Sequence, residues 1–444
     1  MVARQTAVVI PSEVEGSRDM TVKIPRRDSS TSLGMTVALA AISFISITAG
    51  QLAAQSLTPP EEEAQKDFVQ HQETKSRLAI YGWVESGFTG NVDAPKDNQN
   101  FGRLFDDRSN EFVMNQAVIT AERALDPKGG FDWGFKLQFL FGTDAHFIHS
   151  LGMRNHRTGN GLYRADIPEA YLNLHLPIFT EGGIDLKLGK FVTLEGAETI
   201  DPRTNPFYSH TYIFNFGIPF NHTGALFTLY ATKWLNVLAG VTRGVNTSID
   251  DNNDAPAFHG GIGLHLNEEK FVVSAATHIG PETPGNDHDL RYLNTITTTW
   301  KITDKLTSIT DLNYTHDAGA DADAYGLAQY LTYAINDKIT AKIRGELWRD
   351  DKGFYVAQFA NPQDSFRGLA GESIIDPRTV GGGRTTYGAL TLGLDIKVPV
   401  PKPFTGLTIR PELRVDHSFS DTRPFNDSSD DTMFTAALDV LVTF

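Results

Sequence analysis

Leu407-Thr408-Ile409-Arg410-Pro411-Glu412-Leu413-Arg414-Val415-Asp416 alternates between apolar and polar side chains without a break. A period of two places the apolar set on one face of an extended strand and the polar set on the other. The same period runs through Trp133, Phe135, Leu137, Phe139 and Phe141, where only Leu140 interrupts the polar set. It returns in Ile339 to Leu347 and in Phe434 to Phe444. Soluble strands usually have about 5–6 residues, whereas strands that cross a membrane need about 9–11. These runs are of the longer kind. Trp133, Trp300 and Tyr314 stand near the ends of apolar faces, where an interfacial aromatic girdle belongs.

Extending the pattern outward predicts strands at 78–89, 111–123, 131–143, 167–176, 183–191, 222–231, 234–243, 257–266, 270–279, 290–302, 305–316, 323–335, 338–349, 385–397, 406–419 and 432–444. The connections between them alternate between short and long. Short ones include Thr232-Lys233, Thr303-Asp304 and Asn336-Asp337. Long ones are 90–110, 144–166, 192–221, 244–256, 280–289, 317–322, 350–384 and 420–431. Membrane barrels have short periplasmic turns and long outer loops, and bacterial ones have an even strand number. A sandwich or propeller has no reason to alternate in this way. The expected fold is therefore an all-β, transmembrane, antiparallel up-and-down β-barrel of about 16 strands in one domain. A weak repeat, as in Thr303-Asp304-Lys305-Leu306 and Asn336-Asp337-Lys338-Ile339, fits hairpin repetition.

Composition narrows the alternatives. The 444 residues include no cysteine, so disulfides and thiolate-held metals are excluded. A formal net charge of −15 argues against a nucleic-acid partner. A mean hydropathy of −0.24 argues against multiple helical spans, but not against strands that are apolar on one face only.

Residues 1–54 read as a secretory signal. Lys23, Arg26 and Arg27 precede the apolar run 35–49, and Leu52-Ala53-Ala54-Gln55 follows as a small-residue cleavage site. The run falls short of the roughly 20 residues of a spanning helix. Met20 reads as the natural start, which leaves residues 1–19 outside signal and domain. Residues 55–77, with Pro59, Pro60 and Glu61 to Glu63, read as a periplasmic linker, and 78–444 as the barrel.

Several segments carry a resemblance. Tyr81-Gly82-Trp83-Val84-Glu85-Ser86-Gly87-Phe88, Asn115-Gln116-Ala117 with Glu122-Arg123, and Gly189-Lys190-Phe191 followed by Glu195-Gly196-Ala197-Glu198 are three of them. Asn205-Pro206-Phe207-Tyr208-Ser209-His210, Pro219-Phe220-Asn221-His222-Thr223-Gly224 and, most specifically, Arg410-Pro411-Glu412-Leu413-Arg414-Val415-Asp416-His417-Ser418 complete the set. Together they resemble the OmpL-like outer-membrane porin family, also called the second β-barrel porin family. The resemblance implies a diffusion channel in the outer membrane of a Gram-negative bacterium. The terminal Phe444 implies recognition by the barrel-assembly machinery. Outer-membrane lipid and lipopolysaccharide are the expected surroundings, and small polar solutes the expected cargo. A homotrimer is expected by analogy with porins of similar size. No catalytic residue, cofactor or metal is expected.

Charge on the lipid face costs about 2–4 kcal/mol at mid-bilayer, so polar faces must point inward. Barrels of 16–18 strands leave an aqueous channel. Pore-lining candidates are Lys342, Arg344, Glu346, Asp395, Lys397, Arg410, Glu412, Arg414, Asp416 and Asp439. Between the two most charged strands, Ala389 and Gly393 leave room on the same face. The alternating ladder either selects polar or anionic solutes, or forms interior salt bridges that hold the wall. The aromatic, proline-rich loop 192–221 is too apolar to lie free in water. By resemblance to general porins it folds inward, with Asp201, Arg203, Phe207, Tyr208 and His210 at the constriction; otherwise it caps the mouth or meets a neighbouring subunit.

Other features read as unremarkable. The acidic loops at 250–254 and 426–431 lack EF-hand spacing and read as solvated. The histidines are scattered; His146 and His149 are three apart but fall where strand or loop, not helix, is expected, which argues against a metal pair. The competing functions are an outer-membrane barrel enzyme of lipase type and a plugged structural or adhesive barrel. Adjacent Ser209 and His210 would point to opposite sides of an extended chain, which argues against an esterase pair.

Overall fold

The alternating runs form sixteen antiparallel strands in a closed barrel. We describe a computed structural model over residues 77–128, 130–153, 162–356 and 383–444. The signal and linker expected at 1–54 and 55–77 fall almost entirely outside the described residues. The strands are β1 Leu78–Asn91, β2 Phe112–Arg123, β3 Asp132–Gly142, β4 Arg164–Leu176, β5 Ile184–Val192, β6 Asn221–Thr232, β7 Leu235–Thr242 and β8 Ala257–Leu266. They continue as β9 Phe271–Pro281, β10 Leu290–Lys301, β11 Leu306–Asp317, β12 Ala322–Asn336, β13 Ile339–Asp350, β14 Thr385–Val398, β15 Gly406–Ser418 and β16 Thr432–Thr443. Every strand expected from the alternation is present. The largest difference is the start of β4, which begins at Arg164 where 167 was expected.

Each strand pairs with its sequence neighbour, and β1 closes the ring on β16. The Phe444 N–H donates to the Gly82 carbonyl at 3.0 Å, and Gly82 N–H returns a bond of 3.0 Å to Phe444. Full closure leaves no unpaired edge, which the bilayer interior requires. The outward faces carry exposed large apolar side chains, including Leu137, Ile343, Leu413, Phe434 and Leu438. Trp133, Trp300 and Tyr314 are also outward and exposed. The intervening residues turn inward, where Arg344, Arg414, Asp416 and Asp439 are buried.

With the short turns on the periplasmic side, the long connections leave the other end; we name L1 (92–111), L2 (143–163, described at 143–153 and 162–163) and L3 (193–220). All three bury residues: Leu104 and Phe105 of L1, Phe147 and Ile148 of L2, and Phe207 to Phe216 of L3. Phe105, Phe147, His210, Phe214 and Phe220 pack as one aromatic cluster with centroid separations of 4.1 to 5.7 Å. The barrel core is thus made largely by loops meeting inside the strands. The 426–431 loop also docks, through Asn426 on Asn91 and Asp93 and through Asp427 on the Lys96 and Asp97 N–H groups. The expectation of a merely solvated loop is corrected by these contacts.

Candidate functional site: an inward loop and the cavity beside it

L3 bonds along the inner wall residue by residue. On β15, Arg410 donates to the Pro202 and Asn205 carbonyls at 2.8 and 3.1 Å. Two residues on, Glu412 accepts the N–H groups of Tyr208 and Ser209 at 3.0 and 3.2 Å. Arg414 then donates to the His210 carbonyl at 2.6 Å. Asp416 accepts the Tyr212 hydroxyl at 3.2 Å and the L1 guanidinium of Arg103 at 2.5 Å. The two-residue period of the strand therefore matches the advance of the loop from 202 to 212. On β13, Arg344 donates to Glu198 at 2.9 Å and to the Ser209 carbonyl at 2.6 Å. Glu346 accepts the Tyr212 N–H at 2.8 Å.

The strand between them, β14, and β1 on the far side of β16 make room for the loop's rings. A Cβ at Gly393 would lie 3.0 Å from the Phe207 ring, and one at Gly87 2.3 Å from that of Tyr208. The space that Gly393 leaves is occupied by Phe207, on which Lys342 and Arg344 stack at 5.1 and 4.9 Å. Charges under L3 also pair with one another. Arg410 reaches Glu85 and Asp439 at 2.7 Å each, Arg414 reaches Glu346 at 3.0 Å, and Lys342 pairs with Asp395. Lys397 is exposed near the end of β14. Nine of the ten ladder residues thus lie in a bonded network with L3 or with one another. Burial alone would raise the Glu198 carboxyl in L3; Arg344 and His210 outweigh it and hold it at about 2.

The opposite side of the lumen is different. A cavity of about 1390 Å³ is lined by β2 to β8 and by the periplasmic turns after β2, β4 and β6. Glu122, Arg123, Lys136, Glu169, Asp185 and Lys187 face it from the wall. L3 contributes Asp201 and Arg203. Arg203 pairs with Asp201 at 2.5 Å and lies 4.1 Å above the Trp83 ring. The five loop residues singled out in the sequence therefore separate: Asp201 and Arg203 face the cavity, whereas Phe207, Tyr208 and His210 are buried. Lys136, Glu169, Asp185 and Lys187 were not singled out. The alternation in β3, β4 and β5 marks their parity, so the signal was present.

Ser209 and His210 take separate partners. The Ser209 hydroxyl accepts from Arg344 at 2.9 Å, and the His210 ring faces Glu198 at 3.2 Å. Among the described residues one group has the character of metal ligands, His222, His259 and His278, all buried.

A sixteen-strand barrel with aromatic ends, inward charge and loops folded into the lumen defines an outer-membrane porin of Gram-negative bacteria. The chain belongs to the family described as Putative beta-barrel porin-2, OmpL-like, whose model matches residues 77–444. No curated protein matches the sequence. Among solved structures, OprB of Pseudomonas putida is similar at a TM-score of 0.52 and 12% identity, over 89% of this chain and 100% of that one. An anion-selective porin from Comamonas acidovorans is similar at 0.51 and 8% identity, over 83% and 99%. At such identities the likeness concerns the fold.

Proposed function

We propose that the channel is passive and non-enzymatic, and that small polar solutes cross it along the β2–β8 side, past Asp201 and Arg203 of L3. The observation that carries this is the cavity of about 1390 Å³, to which both wall and loop present charge of both signs. Field from either sign alone would favour one ion; mixed charge offers hydrogen bonds and short-range attraction to polar and zwitterionic solutes. The buried ladder on β13 to β16 then acts as a clamp that holds L3, and solute does not reach it. A homotrimer, expected by analogy, belongs to the same proposal; light scattering on the detergent-solubilised barrel should give the mass of three chains.

Planar-bilayer recording tests the channel. Discrete openings with weak ion selectivity are expected. A silent barrel with esterase activity would overturn the reading. A second reading, a barrel closed by its loops, has its own support: L1, L2 and L3 together bury an aromatic cluster inside the strands. Liposome swelling separates the two, since small sugars and amino acids enter only through an open path.

A further inference from the structure

His222, His259 and His278 stand near the outer ends of β6, β8 and β9, each 0% exposed. His259 and His278 are direct cross-strand partners. His222 packs its ring 4.1 Å from that of His259 and 4.9 Å from that of His278. One ring nitrogen from each lies within 4.8 Å of the others. Above them runs the first turn of L3, where Leu194 N–H donates to His259 Nε2 at 3.3 Å and Glu195 brings a carboxylate oxygen 3.9 Å from His259 Nδ1.

The hydrogen bonds around this group leave a consistent remainder. His278 Nε2 meets the Glu282 carboxylate at 2.7 Å, and His222 Nδ1 meets the Gly244 carbonyl at 3.1 Å. Both acceptors require N–H there, so the lone pairs sit on His278 Nδ1 and on His222 Nε2, the latter 3.4 Å from the Thr193 hydroxyl. An outer carboxylate or carbonyl that fixes the tautomer is the usual support of a metal-binding imidazole. His278 Nδ1 has no hydrogen-bond partner. On His259 the lone pair is at Nε2, where it accepts the long Leu194 N–H bond, so an ion bound there takes the place of that bond. Both carboxylate oxygens of Glu195 are also without one, on a residue only 2% exposed. Burial, and after it the Asp311 carboxylate, push the Glu195 carboxyl well above its usual range, which a bound cation would reverse. Stacked neutral imidazoles would account for three rings. They do not account for a sealed carboxyl group neither of whose oxygens is hydrogen-bonded.

We propose that His222, His259, His278 and Glu195 bind one divalent transition-metal ion of the zinc class, which ties the first turn of L3 to the wall. Three imidazoles and one carboxylate suit zinc, nickel, cobalt or copper; calcium and magnesium call for oxygen ligands. Tetrahedral zinc with bonds near 2.1 Å spaces its donors roughly 3.4 Å apart, so small ring rotations close the set. The ion supplies the missing partner for Glu195 and for His278 Nδ1 together. It is structural, and the inference holds whether or not the barrel conducts.

The test uses the untagged full-length chain, folded in detergent, stripped with a chelator and titrated with Co²⁺. One equivalent should bind and give the visible absorption of tetrahedral cobalt, and Zn²⁺ should displace it. Glu195→Gln should weaken binding by ~10–100-fold, and His259→Ala should abolish the absorption. If His259→Ala fails to fold, judged by heat-modifiable migration, His278→Gln takes its place with the same expectation. No stoichiometric uptake by the wild type would overturn the proposal. So would uptake that survives these substitutions in folded barrels.

Discussion

Arg344 and Arg414 on β13 and β15, and Lys136 and Lys187 on β3 and β5, all occupy inward positions of the same alternating pattern. Their surroundings differ. The arginines are fully buried and bonded to carbonyls and carboxylates of L3. The lysines line a cavity of about 1390 Å³, Lys136 in a pair with Glu169 at 2.5 Å and Lys187 over the Tyr171 ring at 4.6 Å. One loop produces this difference. By lying against β13 to β16, L3 converts one arc of a polar wall into an interior and leaves the other arc wet. Identical parity in the strand therefore does not give identical access to solvent.

The dry side should respond to substitution through stability. The largest effect is expected for Arg410→Ala, which strands Glu85 and Asp439 and removes two loop anchors. A loss of ~3–5 kcal/mol is expected, read as a lower urea midpoint of folded barrel. Glu412→Ala leaves the Tyr208 and Ser209 N–H groups without acceptor. It should cost about 1–3 kcal/mol and free this part of L3, so that single-channel conductance rises and becomes noisy. An unchanged trace would mean that the loop is held elsewhere.

The wet side should respond through ion preference. Lys187→Gln should move the reversal potential toward cations while the urea midpoint stays within about 0.5 kcal/mol of wild type. The smallest effect concerns acid. Glu198 is held at about 2, below the ordinary value of 4.5. A folded value below the unfolded one stabilises the clamp above pH ~4.5 and is lost as pH falls toward ~2. The hold of Arg344 on Glu198 should accordingly persist from neutral pH to about 4 and loosen only below it, read as a second change of conductance in acid. Titration of the current at higher pH reports other loop carboxyls, since burial pushes Asp107 of L1 up to about 7 and Asp144 of L2 up to about 6.

The strands were legible because burial of one face imposes a period that no other element shares. Their bounds agree within three residues, from β1 at Leu78 to β16 at Thr443. The inward parity of Arg344, Glu346, Arg410, Glu412, Arg414 and Asp416 was legible for the same reason. Their partners were not. Glu412 meets backbone N–H groups some two hundred residues away, and a backbone donor has no sequence signature. Arg103 of L1 reaching Asp416 is equally silent in the sequence. The histidine group is an intermediate case. His259 and His278 face each other in a hairpin whose turn fixes the register, so their pairing could be counted out. His222 enters from two strands away, and only the curvature of the closed wall brings it in.

The absence of native cysteine makes the central comparison directly measurable. Single cysteines are placed at Lys187, on the cavity side, and at Thr391, which is 0% exposed and accepts a hydrogen bond from Arg344 at 3.2 Å under L3. A membrane-impermeant, charged thiol reagent is then added during bilayer recording. The Lys187→Cys channel should react quickly and lose current, while the Thr391→Cys channel should carry its current unchanged. Rapid modification and block at Thr391→Cys, with Lys187→Cys indifferent, would place the solute path on the clamped side and contradict the account.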